Sequence, residues 1–81
     1  MATFVEIRPK ARKDLENIPR KDAERIVLAI QTLGKTGTGD IGKLSSHDPA
    51  YRLRVGNWRV LFDFEQDRIT IYRIKNRKEA Y

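Results

Sequence analysis

The chain has 81 residues, no cysteine and one histidine, and its 17 Lys and Arg outweigh 11 Asp and Glu to leave a formal charge of +6. That length supports a single domain over 1–81 with one modest core and no cofactor cradle, while the missing cysteines and lone His47 exclude disulfides, thiolate metal sites and a histidine-rich metal centre. The positive excess points to nucleic acid or an acidic protein as partner, and the longest apolar run, Ile26 to Ile30, is far below the ~20 residues that span a bilayer.

In chain order, Met1 to Glu6 lacks the basic-then-apolar pattern of a signal peptide, so a cytoplasmic protein without a membrane role is expected. Thr3-Phe4-Val5-Glu6-Ile7 alternates and is bounded by Arg8-Pro9, which predicts a short first strand. Pro9 suits the first turn of a helix whose narrow apolar stripe is Ala11, Leu15 and Ile18, broken by Asn17 and Pro19. A second helix is expected from Arg20 to Leu33, with Ala23, Ile26, Val27, Ile30 and Leu33 on one face and Gly34 as its left-handed cap. So short a break makes the two helices an antiparallel hairpin. The glycine-rich stretch from Gly34 to Lys43 lacks the spacing and the strand–helix context of a phosphate-binding loop and reads as a flexible linker.

From Tyr51 the pattern turns to β. Tyr51-Arg52-Leu53-Arg54-Val55 alternates, Gly56-Asn57 is a two-residue hairpin turn, and Trp58 to Phe64 returns. A polar turn over Glu65 to Arg68 leads to a last strand from Ile69 to Ile74. The expected order is β-α-α-β-β-β, an α+β domain with the helical hairpin on one face of a small, mainly antiparallel sheet.

A two-residue turn sets the register. Val55 then faces Trp58, Leu53 faces Val60 and Tyr51 faces Phe62, all on the core side; on the other side Arg54 lies opposite Arg59, and Arg52 opposite Leu61. Like charges set directly across a strand pair are destabilising. Splaying into solvent with screening is the bland account, but lysine or threonine would solubilise that face equally well, whereas arginine forks fit phosphate. The same face of the last strand should carry Thr70, Tyr72 and Ile74, with Tyr72 able to stack on a base or else to serve as a half-buried structural tyrosine. Arg73 then falls with Ile69 and Ile71 on the core side, either snorkelling at an edge or marking a slip in register. The basic tail with Lys75, Arg77 and Lys78 leaves the last strand beside the arginine face, though most charged tails are merely solvated.

The run Tyr51-Arg52-Leu53-Arg54-Val55-Gly56-Asn57-Trp58-Arg59-Val60-Leu61-Phe62 resembles the central hairpin of RelE/ParE toxins, which reads Tyr-Arg-x-Arg-Val-Gly, a polar residue, an aromatic and Arg-Val. The tail Asn76-Arg77-Lys78-Glu79-Ala80-Tyr81 is similar to the closing His-Arg-Arg-x-x-Tyr of the RelE branch, with Arg77 and Tyr81 at the right separation. Element order and length agree over nearly the whole chain. The resemblance implies the toxin of a type II toxin–antitoxin system that cuts mRNA in the ribosomal A site without metal, through 2′-hydroxyl attack that leaves a 2′,3′-cyclic phosphate.

On that resemblance Arg59 would stabilise the added charge on phosphorus. Arg52 and Arg54 fall where the family has basic residues that position the phosphate or take the 2′-hydroxyl proton. Arg77 would assist the leaving 5′-oxygen and Tyr81 would stack on or orient the nucleotide; Tyr72, Lys75 and Lys78 are RNA-binding candidates from their place beside the arginine face. Two positions depart from the pattern: arginine stands where some members have lysine and is a poor base because it stays protonated, and Asn76 stands where histidine is common. The general base is open among Glu79, Tyr81 and, in a loop beside Asp48-Pro49, His47. A ParE-like gyrase inhibitor without chemistry, or a degenerate RNA-binding member, uses the same fold. Both toxin readings imply an antitoxin with an acidic amphipathic segment that folds as it binds.

Overall fold

The structure, a computed structural model, describes residues 3–44 and 48–79. Its elements are β1 (Phe4–Ile7), α1 (Pro9–Glu16), α2 (Arg20–Thr36), β2 (Ile41–Lys43), β3 (Tyr51–Val55), β4 (Trp58–Glu65) and β5 (Arg68–Asn76). The strands form one sheet in the order β1-β5-β4-β3-β2, with β1 parallel to β5 and the other neighbours antiparallel. Ala11 from α1, Ile18 from the break after it, and Ile26, Ile30 and Leu33 from α2 pack on Leu53, Val60, Phe62, Ile69, Ile71 and Ile74 of the sheet. The α+β expectation therefore holds. Among the described residues no helix is long and apolar enough to cross a membrane.

Four details differ from the sequence reading. The stretch read as a flexible linker contains β2, which pairs with β3 at Ile41↔Leu53, Gly42↔Arg52 and Lys43↔Tyr51. Three residues with a central glycine have little strand preference of their own, so the ladder to β3 makes the strand. Second, α2 continues beyond Leu33 to Thr36, and its left-handed cap is Gly37, with φ 71°, rather than Gly34. Gly34 is buried inside the helix, where an added Cβ would stand 2.7 Å from Val5 Cγ2. Its missing side chain lets α2 close on β1.

Third, Val27 was expected in the apolar face and is 36% exposed. A helix lying on a sheet buries a narrower strip, here Ile26, Ile30 and Leu33, than the apolar pattern would allow.

The fourth difference is a β-bulge. Phe62 pairs with Ile71, but Leu61 pairs with Arg73, so Tyr72 is an extra residue on β5. The bulge changes which residues face inward, and Ile74, expected on the outer face, is buried with Ile69 and Ile71. Arg73, expected on the core side, pairs opposite Leu61 instead, and its fork reaches α1: Nε and Nη2 donate to Asp14 at 2.9 and 3.1 Å. The main-chain N–H of Ile74 donates to the same carboxylate at 2.8 Å.

The β3–β4 hairpin has the anticipated register throughout, including Arg54↔Arg59 and Arg52↔Leu61. Its turn has positive φ at Gly56 alone, 60°, the sign pattern of a type II′ turn. The β4–β5 turn has positive φ at both Gln66 and Asp67, 47° and 44°, the pattern of type I′. Trp58 Nε1 donates to Asp22 Oδ2 at 3.1 Å, tying the start of β4 to the first turn of α2.

Candidate nucleic-acid interface

The sheet face turned away from the helices carries the candidate site. Arg54 on β3 pairs with Arg59 on β4, and Arg59 pairs with Lys75 on β5. Three cations thus form one row across adjacent strands, which lie about 4.8 Å apart. Such a row opposes folding unless something holds each charge.

Two members of the row, Arg54 and Arg59, have specific partners. Arg54 Nε donates to Asp40 Oδ2 at 2.6 Å. Arg59 Nη1 donates to two carbonyls of the hairpin turn, Gly56 O at 2.9 Å and Trp58 O at 3.0 Å, which fixes the guanidinium and leaves its Nε and Nη2 edge for another acceptor. One step along β3, Arg52 Nη1 donates to Asp40 O at 3.0 Å and stands 3.6 Å from Asp40 Oδ1. Its guanidinium lies over Gly42, where an added Cβ would meet Nη2 at 2.7 Å. The hydrogen bond from Arg54, with the nearby charges of Arg54 and Arg52, holds the Asp40 carboxyl below its ordinary value.

The tail joins this end of the face. Arg77 N donates to Asn57 O at 2.8 Å, so Arg77 is tethered to the same turn that orients Arg59. Asn76 shapes the turn that follows, accepting from Lys78 N on its side chain at 3.1 Å and from Glu79 N on its carbonyl at 2.8 Å. The asparagine that departs from the histidine pattern therefore has a local structural role. Arg77, Lys78 and Glu79 line a surface cleft with Asn57, Trp58 and Asn76.

Tyr72 lies elsewhere. It is 37% exposed at the bulge and lines a second cleft, toward the acidic end of the face, with Phe4, Asp63, Glu65, Asp67 and Thr70. Leu61, between the two regions, is the one residue of this face that is buried among those described, at 8% exposure, and it lies outside the core cluster. Arg54, Arg59, Lys75, Arg77 and Lys78 thus gather toward the hairpin tip, with Arg52 further along β3, level with Leu61, and Tyr72 set apart from them. Tyr81 and His47 lie outside the described residues.

Two residues at this end escaped the sequence reading. Asp40 sat in a stretch taken for linker, and nothing local signals its arginine partners. Arg25 on α2 approaches the tip from the helical side, its Nη2 3.5 Å from the position a Gly56 Cβ would occupy. Its place on an exposed helical face gave no hint of the hairpin.

Residues 5–81 match the family described as ParE toxin of type II toxin-antitoxin system, parDE. Toxin RelE3 of Methanocaldococcus jannaschii is 32% identical over 74 residues, covering 85% of this chain and 84% of the relative. Putative toxin RelE1 of the same organism is 36% identical over 82 residues, covering 94% and 90%. The toxin fold is also seen in the archaeal RelE-RelB complex from Pyrococcus horikoshii OT3, at TM-score 0.78 and 25% identity, covering 99% of this chain and 100% of that one. The chain belongs to the RelE/ParE superfamily of type II toxin–antitoxin toxins.

Proposed function

We propose that the protein is a ribosome-dependent mRNA endonuclease, the toxin of its toxin–antitoxin pair. The observation that carries this reading is the row Arg54–Arg59–Lys75, with Arg77 tethered at the same turn. A strip of cations on an open sheet face matches the spaced negative charge of a nucleic-acid backbone.

In the reaction the ribose 2′-oxygen bonds to the adjacent phosphorus and the P–O5′ bond breaks, giving a 2′,3′-cyclic phosphate and a 5′-hydroxyl. One proton leaves the 2′-hydroxyl and one reaches the departing 5′-oxygen. Arg59, held by its turn carbonyls, offers its remaining edge to the phosphoryl oxygens as charge builds there. Arg52 and Arg54 grip the phosphate, and Arg77 neutralises the departing 5′-oxygen. Lys75 and Lys78 hold the flanking backbone, Tyr72 stacks on a base further along the face, and Tyr81 orients the cleaved nucleotide. A guanidinium does not accept the 2′-hydroxyl proton at neutral pH. Proton removal falls to Glu79, Tyr81 or water, and turnover is expected to be slow.

The test is cell-free translation with the purified protein and with Arg59→Ala, mapping message 5′ ends by primer extension. Cuts within ribosome-occupied codons, absent from naked RNA and lost with Arg59→Ala, are expected. Continued translation of an intact message overturns the reading. A second reading, inhibition of DNA gyrase, draws on the ParE description of the matched family. It requires supercoiling to stop while messages stay intact.

The Pyrococcus horikoshii relative is seen with RelB. By the same logic a cognate antitoxin would lay an acidic amphipathic segment on this basic surface and fold as it binds. Translating ribosomes place the activity in the cytoplasm.

A further inference from the structure

Asp40 immediately precedes β2, at the edge of the basic face, and is tied in place by its main chain. Its carbonyl accepts from Arg54 N at 2.9 Å and from Arg52 Nη1 at 3.0 Å. The carboxylate is therefore not needed to seat β2 on β3. It nevertheless meets both guanidinia, Arg54 Nε at 2.6 Å and Arg52 Nη1 at 3.6 Å. A carboxylate presents a guanidinium with what a phosphodiester presents, two oxygens sharing one negative charge.

Exposure decides how firmly that contact holds. The Arg54 and Asp40 side chains are 51% and 48% exposed, a setting in which ion pairs are weak and screened by salt; Arg52, 22% exposed, makes the longer contact. A polyanion that engages several cations at once can displace such a contact, whereas an isolated phosphate competes poorly. Arg59 and Lys75 form no ion pair among the described residues. The row therefore divides into two cations without an ion pair and one, Arg54, already occupied by a carboxylate that also meets Arg52 beside it.

We propose that Asp40 is an internal competitor for the RNA backbone: its carboxylate occupies Arg54 and Arg52 in the free protein, and bound RNA displaces it. This rests on the RNA-binding reading above and adds a gate to it. Free RNA binds more weakly than the cation count implies, and tight engagement requires a strand held along the whole face.

The experiment is fluorescence anisotropy with a fluorescein-labelled, single-stranded 2′-O-methyl RNA dodecamer, which resists cleavage, titrated over a range of salt. The proteins are the unmodified chain, Asp40→Asn, Arg54→Ala, the double variant, and Asp67→Asn as a charge control in the β4–β5 turn. Asp40→Asn should bind about fivefold tighter, the scale set by one exposed ion pair, with a salt slope steeper by about 0.7. Asp67→Asn should gain much less, and the Asp40→Asn gain should largely vanish in the Arg54→Ala background.

Equal gains from Asp40→Asn and Asp67→Asn, a gain that persists without Arg54, or weaker binding by Asp40→Asn would each overturn the proposal. A thermal midpoint for Asp40→Asn matching the unmodified chain shows that the main-chain bonds still seat β2. If Arg54→Ala weakens binding while Asp40→Asn is silent, the gate alone falls. If neither the unmodified chain nor Asp40→Asn binds the dodecamer, the gate falls, while the endonuclease reading stands or falls by the translation assay.

Discussion

Asp14 joins α1 to the strand end beyond the bulge, accepting from Arg73 Nε and Nη2 and from Ile74 N. Burial pushes its carboxyl upward, but the Arg73 hydrogen bond, the Ile74 N–H and the charges of Arg73 and Lys75 outweigh that and hold it below its ordinary value. A carboxyl depressed in the folded state contributes stability that is present above its unfolded pKa, ~3.9, and lost as pH falls through the folded value. Asp14→Asn should lower stability by about 1–2 kcal/mol at pH 7, and the gap from the unmodified chain should narrow below about pH 4. Urea unfolding at pH 7 and under acid measures it; a gap independent of pH would contradict the assignment. Arg73 was awkward in the sequence because a strict two-residue alternation placed it among isoleucines. The spacing Ile69, Ile71, Ile74 already contained the extra residue, and nothing in the sequence marked Asp14 as the partner.

Gly34 shows two effects at the scale of an element. Alanine favours a helix interior by up to about 1 kcal/mol over glycine, but its Cβ would meet Val5 Cγ2 at 2.7 Å. Forcing a methyl group into such a contact costs about 1–3 kcal/mol. Gly34→Ala should therefore destabilise the chain by roughly 1 kcal/mol, and by less in a Val5→Ala background. A double-mutant cycle by chemical unfolding tests this, and a gain in stability from Gly34→Ala alone would show that β1 yields. The sequence suggested a left-handed cap at Gly34 because a glycine follows the last apolar position of the helix. Gly37 meets the same conformational need one turn later, and only the β1–α2 contact explains why Gly34 is glycine. The β3–β4 register, by contrast, was legible because a two-residue turn leaves one pairing that buries Leu53, Val60 and Phe62 together.

Across the whole molecule, charge and fold pull in opposite directions. The chain carries +6 and sets Arg54, Arg59 and Lys75 in one row, a position no residue would occupy for stability alone. Lys75→Gln should accordingly raise stability at low ionic strength by about 0.2–1 kcal/mol. The gain should shrink in 1 M salt, where the screening length is about 3 Å, while affinity for RNA falls. Thermal unfolding at two salt concentrations tests the first part and the anisotropy titration the second. A midpoint lowered by Lys75→Gln would mean that its attraction to Asp14 or its packing outweighs the repulsion.

The sequence by itself determined the fold class, the hairpin with its paired arginines and the family, because alternation, a turn of fixed length and a short motif are local properties. Tertiary structure decided the rest: β2, the bulge at Tyr72, the Asp14–Arg73 pair and the Asp40 clamp. Each depends on residues far apart in the chain meeting in space, and the energy that selects them is packing and hydrogen bonding across elements, which no local pattern records.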